Sequence, residues 1–292
     1  MNTTSKPILK LGFTDYFSPI DEFFTDVLSK TYEIVRDDWN PNYLMFCDDN
    51  FGTNNKTFNN RNVLKILFTG ENRRPQEFDC HYAFSFNHDD TDRLYRLPLY
   101  VVDNWVYTKK MGWPDISYID YDYKEKTGFC SFVVRNGGCK QRNDIFHKLS
   151  AYKQVDSGGP LFNNVGDILS RDPSQFHLSK LDFLRARKFN ICYENSSYPG
   201  YVTEKLFQAL YAKTVPIYWG SPTASIDFNP NCFISRHDYE TDEQMIDTII
   251  GLDKNQEWYD GMLDLSPVHT TKFFSMERLN NWFHQNVYKG VW

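Results

Sequence analysis

Short apolar runs alternate with amphipathic stretches along the first third of the chain, and the spacing assigns an element to each. ILKLGFTDYF, beginning at Ile8, predicts a strand that ends in a loop, and DEFFTDVLSKTY sets Phe23, Phe24, Val27, Leu28 and Tyr32 at helical spacing. After a polar stretch from Asp48 to Asn62, VLKILFTGEN is an apolar run that stops at Thr69-Gly70. HYAFSFN and LYRLPLYVV, the latter broken by Pro98, read as two further strands. Apolar residues on both faces suit the buried strands of an α/β sheet.

Residues 103–127 lose this pattern, are polar and aromatic and contain Pro114, and so predict a connection between two domains. Beyond it the alternation restarts: GFCSFVVRN as strand, QRNDIFHKLSAY as helix, KFNICYEN as strand, TEKLFQALYAK as helix and TVPIYWG as strand. That order is the βαβ arrangement of nucleotide-binding layers. MERLNNWFHQNVY at the end is helical again, and no repeat or low-complexity tract is present. The reading is therefore a domain over 1–125, a second over 126–275, and a terminal helix over 276–292 that packs back on the first.

A length of 292 residues accommodates two such domains. Lys plus Arg number 32 against 38 Asp plus Glu, a net charge of -6, which argues against a nucleic-acid partner. Aromatic residues make up 17% of the chain, a supply that fills cores and also suits flat amphipathic ligands such as sugars and bases. No run reaches the roughly 18 apolar residues of a spanning helix, and the first residues lack the apolar core of a signal peptide. A cytoplasmic protein is expected, with peripheral membrane contact left open. The six cysteines lack CxxC or zinc spacing and read as reduced thiols. Asn-x-Ser/Thr triplets occur at Asn2, Asn55 and Asn195.

The densest chemistry lies in FNICYENSSYPGYVTEKLFQALYAKTVPIYWGSP, residues 189–222. A strand ending at Tyr193 leaves Glu194 and Asn195 at its carboxyl end, where open α/β sheets bind ligands. Thr203 is placed to cap a helix whose Leu206, Phe207, Leu210 and Tyr211 form one apolar stripe, with Glu204 and Lys205 in its first turn. A helix start beside a lysine suits a diphosphate; alternatively Glu204 complements the dipole and Lys205 is solvated. Neither GxGxxG nor GxxxxGK[ST] occurs.

This segment strongly resembles the donor-binding motif of the α1,3/α1,4-fucosyltransferases, the inverting family 10 glycosyltransferases: EN, a short loop, YVTEK, a helix, then VPIYWG. FTGEN at 68–72 resembles the family's acceptor-domain loop, and YAFSFNHDDTDRLYRLPLY the strand region after it. GFCSFVVRN with Arg142 downstream, and DFNPNCFISRHDY, resemble parts of its donor domain, so the likeness runs in order over residues 63–240. It implies an α/β fold of the GT-B type, two Rossmann-like domains facing across a cleft, and transfer of L-fucose from GDP-fucose to a GlcNAc-type hydroxyl. The 3-position of an N-acetyllactosamine unit is the acceptor favoured, in an oligosaccharide ending in Gal-GlcNAc.

By the same resemblance Asn195, Tyr201, Glu204 and Lys205 match positions that contact the donor, Lys205 neutralising diphosphate and Glu204 binding hydroxyls or stabilising positive charge. Glu71 matches the family's base, which an inverting transfer needs opposite the leaving group. Pairing of Glu71 with Arg73 or Arg74 is the alternative. Arg142 either reaches a phosphate or pairs with Asp144. Phe162 stands where some relatives carry a phosphate-binding arginine, so Arg142, Arg171 and Arg187 are the candidates for a second cation. Trp105 and Trp113 are candidates for stacking on the acceptor. No D-x-D adjoins the motif, and neither a cofactor nor a divalent metal is expected. Another nucleotide sugar, or a carbohydrate-binding module without catalysis, are the competing readings.

Overall fold

The structure, a computed structural model, describes residues 5–118, 125–269 and 274–290. The chain divides into two compact units, Met1–Trp113 with Phe274–Trp292, and Pro114–Phe273. The first division falls after Trp113, not after residue 125. Pro114 already belongs to the second unit, where its carbonyl accepts the Tyr211 hydroxyl at 2.8 Å.

In the first unit the order is β1 (Ile8–Thr14), α1 (Ile20–Ser29), β2 (Glu33–Arg36), β3 (Tyr43–Phe46), β4 (Leu64–Phe68), β5 (Tyr82–Ser85), β6 (Leu94–Arg96) and α2 (Leu99–Trp105). The strands form one sheet in the order β2-β1-β3-β4-β5-β6, every pair parallel. Parallel strands are covered on both faces, which is why all four residues of β3 are buried while the edge strand β2 is mostly exposed. α1 buries Ile20, Phe23, Phe24, Val27 and Leu28, the stripe its spacing predicts, and Phe24 meets Phe84 of β5 at 4.9 Å between ring centres.

LYRLPLYVV does not continue as a strand. Pro98 lacks the N–H a ladder needs, so β6 stops at Arg96, and Leu99 onward turns into α2, burying Tyr100, Val101, Val102 and Trp105.

The second unit runs β7 (Gly128–Phe132), α3 (Lys140–Tyr152), β8 (Val155–Ser157), α4 (Pro173–Arg185), β9 (Arg187–Ile191), α5 (Glu204–Tyr211), β10 (Val215–Tyr218), β11 (Ile234–Ser235), α6 (Asp242–Lys254) and α7 (Gln256–Leu263). Its sheet is again parallel, in the order β11-β10-β9-β7-β8. Strand order reverses between β7 and β9, so the loops leaving those two strands part and open a crevice at their carboxyl ends.

The terminal segment carries α8 (Met276–Trp282) and completes the first unit. Asn280 donates to the Val27 carbonyl of α1 at 2.8 Å, Trp282 Nε1 to the Thr91 carbonyl at 2.7 Å, and the Tyr43 hydroxyl of β3 to the Gly290 carbonyl at 2.8 Å. All six cysteines are free thiols, and burial raises those of Cys47, Cys130 and Cys192. Among the described residues no helix is long and apolar enough to cross a membrane.

Candidate functional site

A polar cluster stands at the β7/β9 crevice, and it is built on an arginine. Arg142, near the start of α3, is 0% exposed and reaches both loops of the crevice. Its Nη2 donates to the Asn136 carbonyl beyond β7 at 2.5 Å, and its Nη1 to the Tyr193 carbonyl beyond β9 at 3.2 Å and to Asn195 Oδ1 at 2.9 Å. Pairing with Asp144 does not occur; Asp144 is held by Lys140 at 2.5 Å. Arg142 thus fixes the two loops and aims the exposed Asn195, while its buried Nε makes no hydrogen bond.

Glu194, also 0% exposed, is the residue to which sequence reasoning gave no role. It accepts from the Thr203 N–H at 2.8 Å, from the Thr203 hydroxyl at 2.7 Å and from Lys205 Nζ at 3.0 Å. Thr203 occupies the cap position of α5 but makes no cap bond of its own; the Glu194 carboxylate serves the helix start in its place. Lys205 additionally donates to Thr203 Oγ1 at 2.9 Å and pairs with Glu204 at 3.2 Å. The sequence signal for Glu194 was present: an acid directly behind the apolar strand NICY needs a buried counter-charge.

Electrostatics follow from this placement. Burial raises the Glu194 carboxyl, and the Lys205 ammonium works against that rise. Burial also opposes ionisation of Glu204, yet Lys205 and then Lys180 of α4 hold it down at about 2. Desolvation pulls Lys205 down, but Glu194 and Glu204 outweigh it and raise it above the ordinary lysine range. Lys205 is thus a charged ammonium between two acids at neutral pH. Glu204 keeps 27% of its side chain exposed, so its share of this pairing is screened and exchangeable.

The next turn of chain is tied from the other side. Gly200, at φ 83°, donates its N–H to Ser221 Oγ at 2.8 Å and Thr223 Oγ1 at 3.0 Å. Tyr218 donates to the Tyr201 carbonyl at 3.3 Å and accepts from the Ser221 N–H at 2.9 Å. Tyr201 itself is 1% exposed and sits in the wall of the site. Gly220 leaves room for Glu194, since a Cβ there would lie 2.4 Å from Glu194 Cγ. Gly220→Ala is expected to destabilise the chain by about 1–3 kcal/mol. Chemical denaturation reads this directly, and an unchanged midpoint would mean that Glu194 can move aside.

None of the three arginines considered as a second cation stands exposed at the crevice. Arg142 is enclosed, Arg171 is on the surface with Asp167 at 2.6 Å, and Arg187 begins β9 at the sheet's opposite end, bonded to Asp156 at 3.1 Å. Phe162 packs on Phe146 at 4.9 Å and His147 at 4.8 Å.

In the first unit Glu71 follows β4 on a tight turn, half-buried. Its backbone is braced by Thr69, whose hydroxyl lies 3.3 Å from both the Glu71 N–H and the Glu71 carbonyl. Arg73 is engaged by Asp49 at 2.8 Å and Glu77 at 2.6 Å, and Arg74 donates to Asn72 Oδ1 at 2.6 Å. Trp105 is core: it is 5% exposed, packs edge-on against Phe23 and donates to Asp26 at 2.7 Å. At that exposure little of the ring is left for a sugar to stack on. Trp113 is half-buried and packs on Tyr107 at 5.0 Å. Among the triplets, Asn55 is buried and its amide donates to Asp15 at 2.9 Å, Asn195 is held by Arg142, and Asn2 lies outside the described residues. No group of three or more His, Cys, Asp or Glu placed for a metal ion occurs among the described residues.

Two parallel α/β units in one chain, with polar chemistry gathered at strand carboxyl ends, define an α/β protein of the GT-B type with two Rossmann-like domains. The chain belongs to glycosyltransferase family 10, the fucosyltransferase family: the family's C-terminal model matches residues 123–284, and the N-terminal domain model of the α-(1,3)-fucosyltransferase FucT matches residues 9–103. It is 31% identical to the Alpha-(1,3)-fucosyltransferase FucT of Helicobacter pylori over 92% of this chain, and spans 62% of that relative's length. A crystal structure of an α1,3-fucosyltransferase superposes with a TM-score of 0.78 at 27% identity, covering 98% of this chain and 91% of the other. One described as being with GDP-fucose gives 0.76 at 26%, covering 100% and 94%.

Proposed function

We propose that the chain is an inverting α1,3-fucosyltransferase that moves L-fucose from GDP-fucose to the 3-hydroxyl of GlcNAc in an N-acetyllactosamine-type glycan. The observation that carries the reading is the Glu194–Thr203–Lys205 arrangement at the start of α5, an ammonium held at the β7/β9 switch point. It is supported by the family, by the Alpha-(1,3)-fucosyltransferase relative and by the likeness to a solved α1,3-fucosyltransferase with GDP-fucose.

In this reaction the bond between fucose C1 and the diphosphate oxygen breaks, and its electron pair leaves with GDP. The acceptor oxygen bonds to C1 from the opposite face, and its proton passes to the Glu71 carboxylate. Lys205 meets the charge that develops on the diphosphate, helped by the dipole of α5. Since Glu204 is the more exposed of the two carboxylates on Lys205, phosphate displaces it from the ammonium, and the released carboxylate accepts fucose hydroxyls or faces the positive charge at C1. Asn195, aimed by Arg142, adds a neutral contact to the donor, and Tyr201 shapes the wall behind it. We assign the leaving-group charge to Lys205 and the helix rather than to a divalent ion.

The test is a panel of GDP-fucose, GDP-mannose and UDP-sugars, each with and without EDTA, read by thermal shift and by product formation. A ligand at about 100 times its Kd stabilises the native state by about 2.7 kcal/mol. We expect GDP-fucose alone to give both a shift and fucosylated N-acetyllactosamine, with EDTA without effect. Turnover of another donor, or a loss in EDTA restored by manganese, would overturn the corresponding assignment.

A further inference from the structure

The charges at the start of α5 do not suffice for a diphosphate. Glu194 and Glu204 oppose Lys205 and Arg142, so the cluster is formally neutral, and Lys205 is already shared between the two acids. A diphosphate brings more than one negative charge to the same place and calls for a cation beyond these. Arg171 and Arg187 do not supply it, being held in ion pairs elsewhere.

The neighbouring helix offers one. α4 packs on β9 and α5, and it ends at Arg185 just before β9 begins at Arg187. It therefore runs antiparallel to that strand and turns its N-terminus toward the carboxyl end, where the crevice opens. Lys180 and Leu184 lie four apart on one face of α4, as Glu204 and Gln208 do on α5. The two helices meet there: Lys180, Leu184, Lys205 and Gln208 line one cavity of ≈ 10 Å³, room for about one water. A helical side chain leans toward the N-terminus of its own helix, which carries the half-buried Lys180 toward the start of α5. Burial opposes ionisation of Glu204, and the charges that hold it ionised are Lys205 and then Lys180. His177, one turn nearer the N-terminus of α4, adds no charge, since burial and then Lys180 lower its pKa and leave it neutral at neutral pH. Two ammonium groups from different helices thus act on one partly exposed carboxylate, an arrangement that an incoming anion can take over.

We propose that Lys180 is the second cation of the donor site, meeting the diphosphate from α4 when phosphate displaces Glu204 from the two lysines. The assignment rests on the fucosyltransferase reading and names a contact of that same site.

Binding of GDP, read by titration calorimetry, and of guanosine, read by ligand-observed NMR, tests it on the full chain. Lys180→Met keeps the aliphatic stem and removes the charge. It is expected to weaken GDP binding by about 10- to 150-fold, the loss of one charge-assisted contact, and to leave guanosine binding as in the parent. The same substitution in a Glu204→Gln background separates contact from indirect action, because Glu204 no longer carries a charge for Lys180 to hold. There the loss of GDP affinity is expected to persist. Unchanged GDP affinity in Lys180→Met would overturn the proposal. So would a loss that vanishes in the Glu204→Gln background, which would show that Lys180 acts only through Glu204, or an equal loss for guanosine, which would place the damage outside the phosphates. A parent chain that binds no GDP refutes the fucosyltransferase reading itself, whereas a parent that binds GDP no better than its Lys180→Met variant refutes only the role of Lys180.

Discussion

Glu71→Gln is expected to lower kcat by about 10²- to 10⁴-fold, the usual contribution of a positioned general base. The substitution keeps the shape of the side chain and the turn that Thr69 braces, so folding is not the variable. What it removes is the one property the proposed role requires, a carboxylate able to accept the acceptor's proton as the new glycosidic bond forms. Glu71 lies in the first unit and the Lys205 cluster in the second, so the variant should bind GDP as the parent does. Initial rates with saturating GDP-fucose and N-acetyllactosamine, beside GDP titration calorimetry, separate the two effects. A kcat reduced by less than about tenfold would remove Glu71 from the role of base. Loss of GDP affinity would instead place it in the donor site.

How far the sequence could carry this reading depended on distance along the chain. Elements with their own periodicity were legible: α1 through Phe23, Phe24, Val27 and Leu28, and α5 through Leu206, Phe207 and Leu210. Strands β2 and β3 were not, because β2 is a four-residue edge strand with mixed exposure and β3 is too short for its apolar run to mark a period. The break at Pro98 was visible, but whether a helix or a strand followed depended on the sheet that buries Val101 and Val102. At the site, Glu204 and Lys205 were readable as neighbours on one helix turn. The partners of Arg142 were not, for they lie 51 and 53 positions away at Tyr193 and Asn195, and 6 away at Asn136. Only the order β7 beside β9 brings those loops together. Trp105 failed for the complementary reason: a Trp in a polar-aromatic stretch looks available until Asp26 and Phe23 are seen on it.

Lys205→Ala is expected to do two separable kinds of damage. The first is structural. Glu194 would remain at 0% exposure with Thr203 as its donor and no cation, and stranding one member of a buried ion pair costs about 3–5 kcal/mol. The second is functional: without the ammonium, a charge-assisted contact to diphosphate of about 1.5–3 kcal/mol disappears, a roughly 10- to 150-fold weaker GDP complex. A double variant, Glu194→Gln with Lys205→Met, separates them. The amide can still accept from Thr203 and the thioether fills the lysine's volume, so no unpaired charge is left buried. Its unfolding midpoint is expected to recover most of the loss seen in Lys205→Ala, while GDP affinity stays as weak as in the single variant. Recovery of both would show that Lys205 acts only through its pairing with Glu194, and the diphosphate would need another cation. Recovery of neither would place the damage in the α5 start itself, since Glu194 reaches Lys205 and caps the helix with the same carboxylate. The helix start expected to hold a substrate anion already holds one of the protein's own, and a ligand there competes for Lys205 with Glu194 and Glu204.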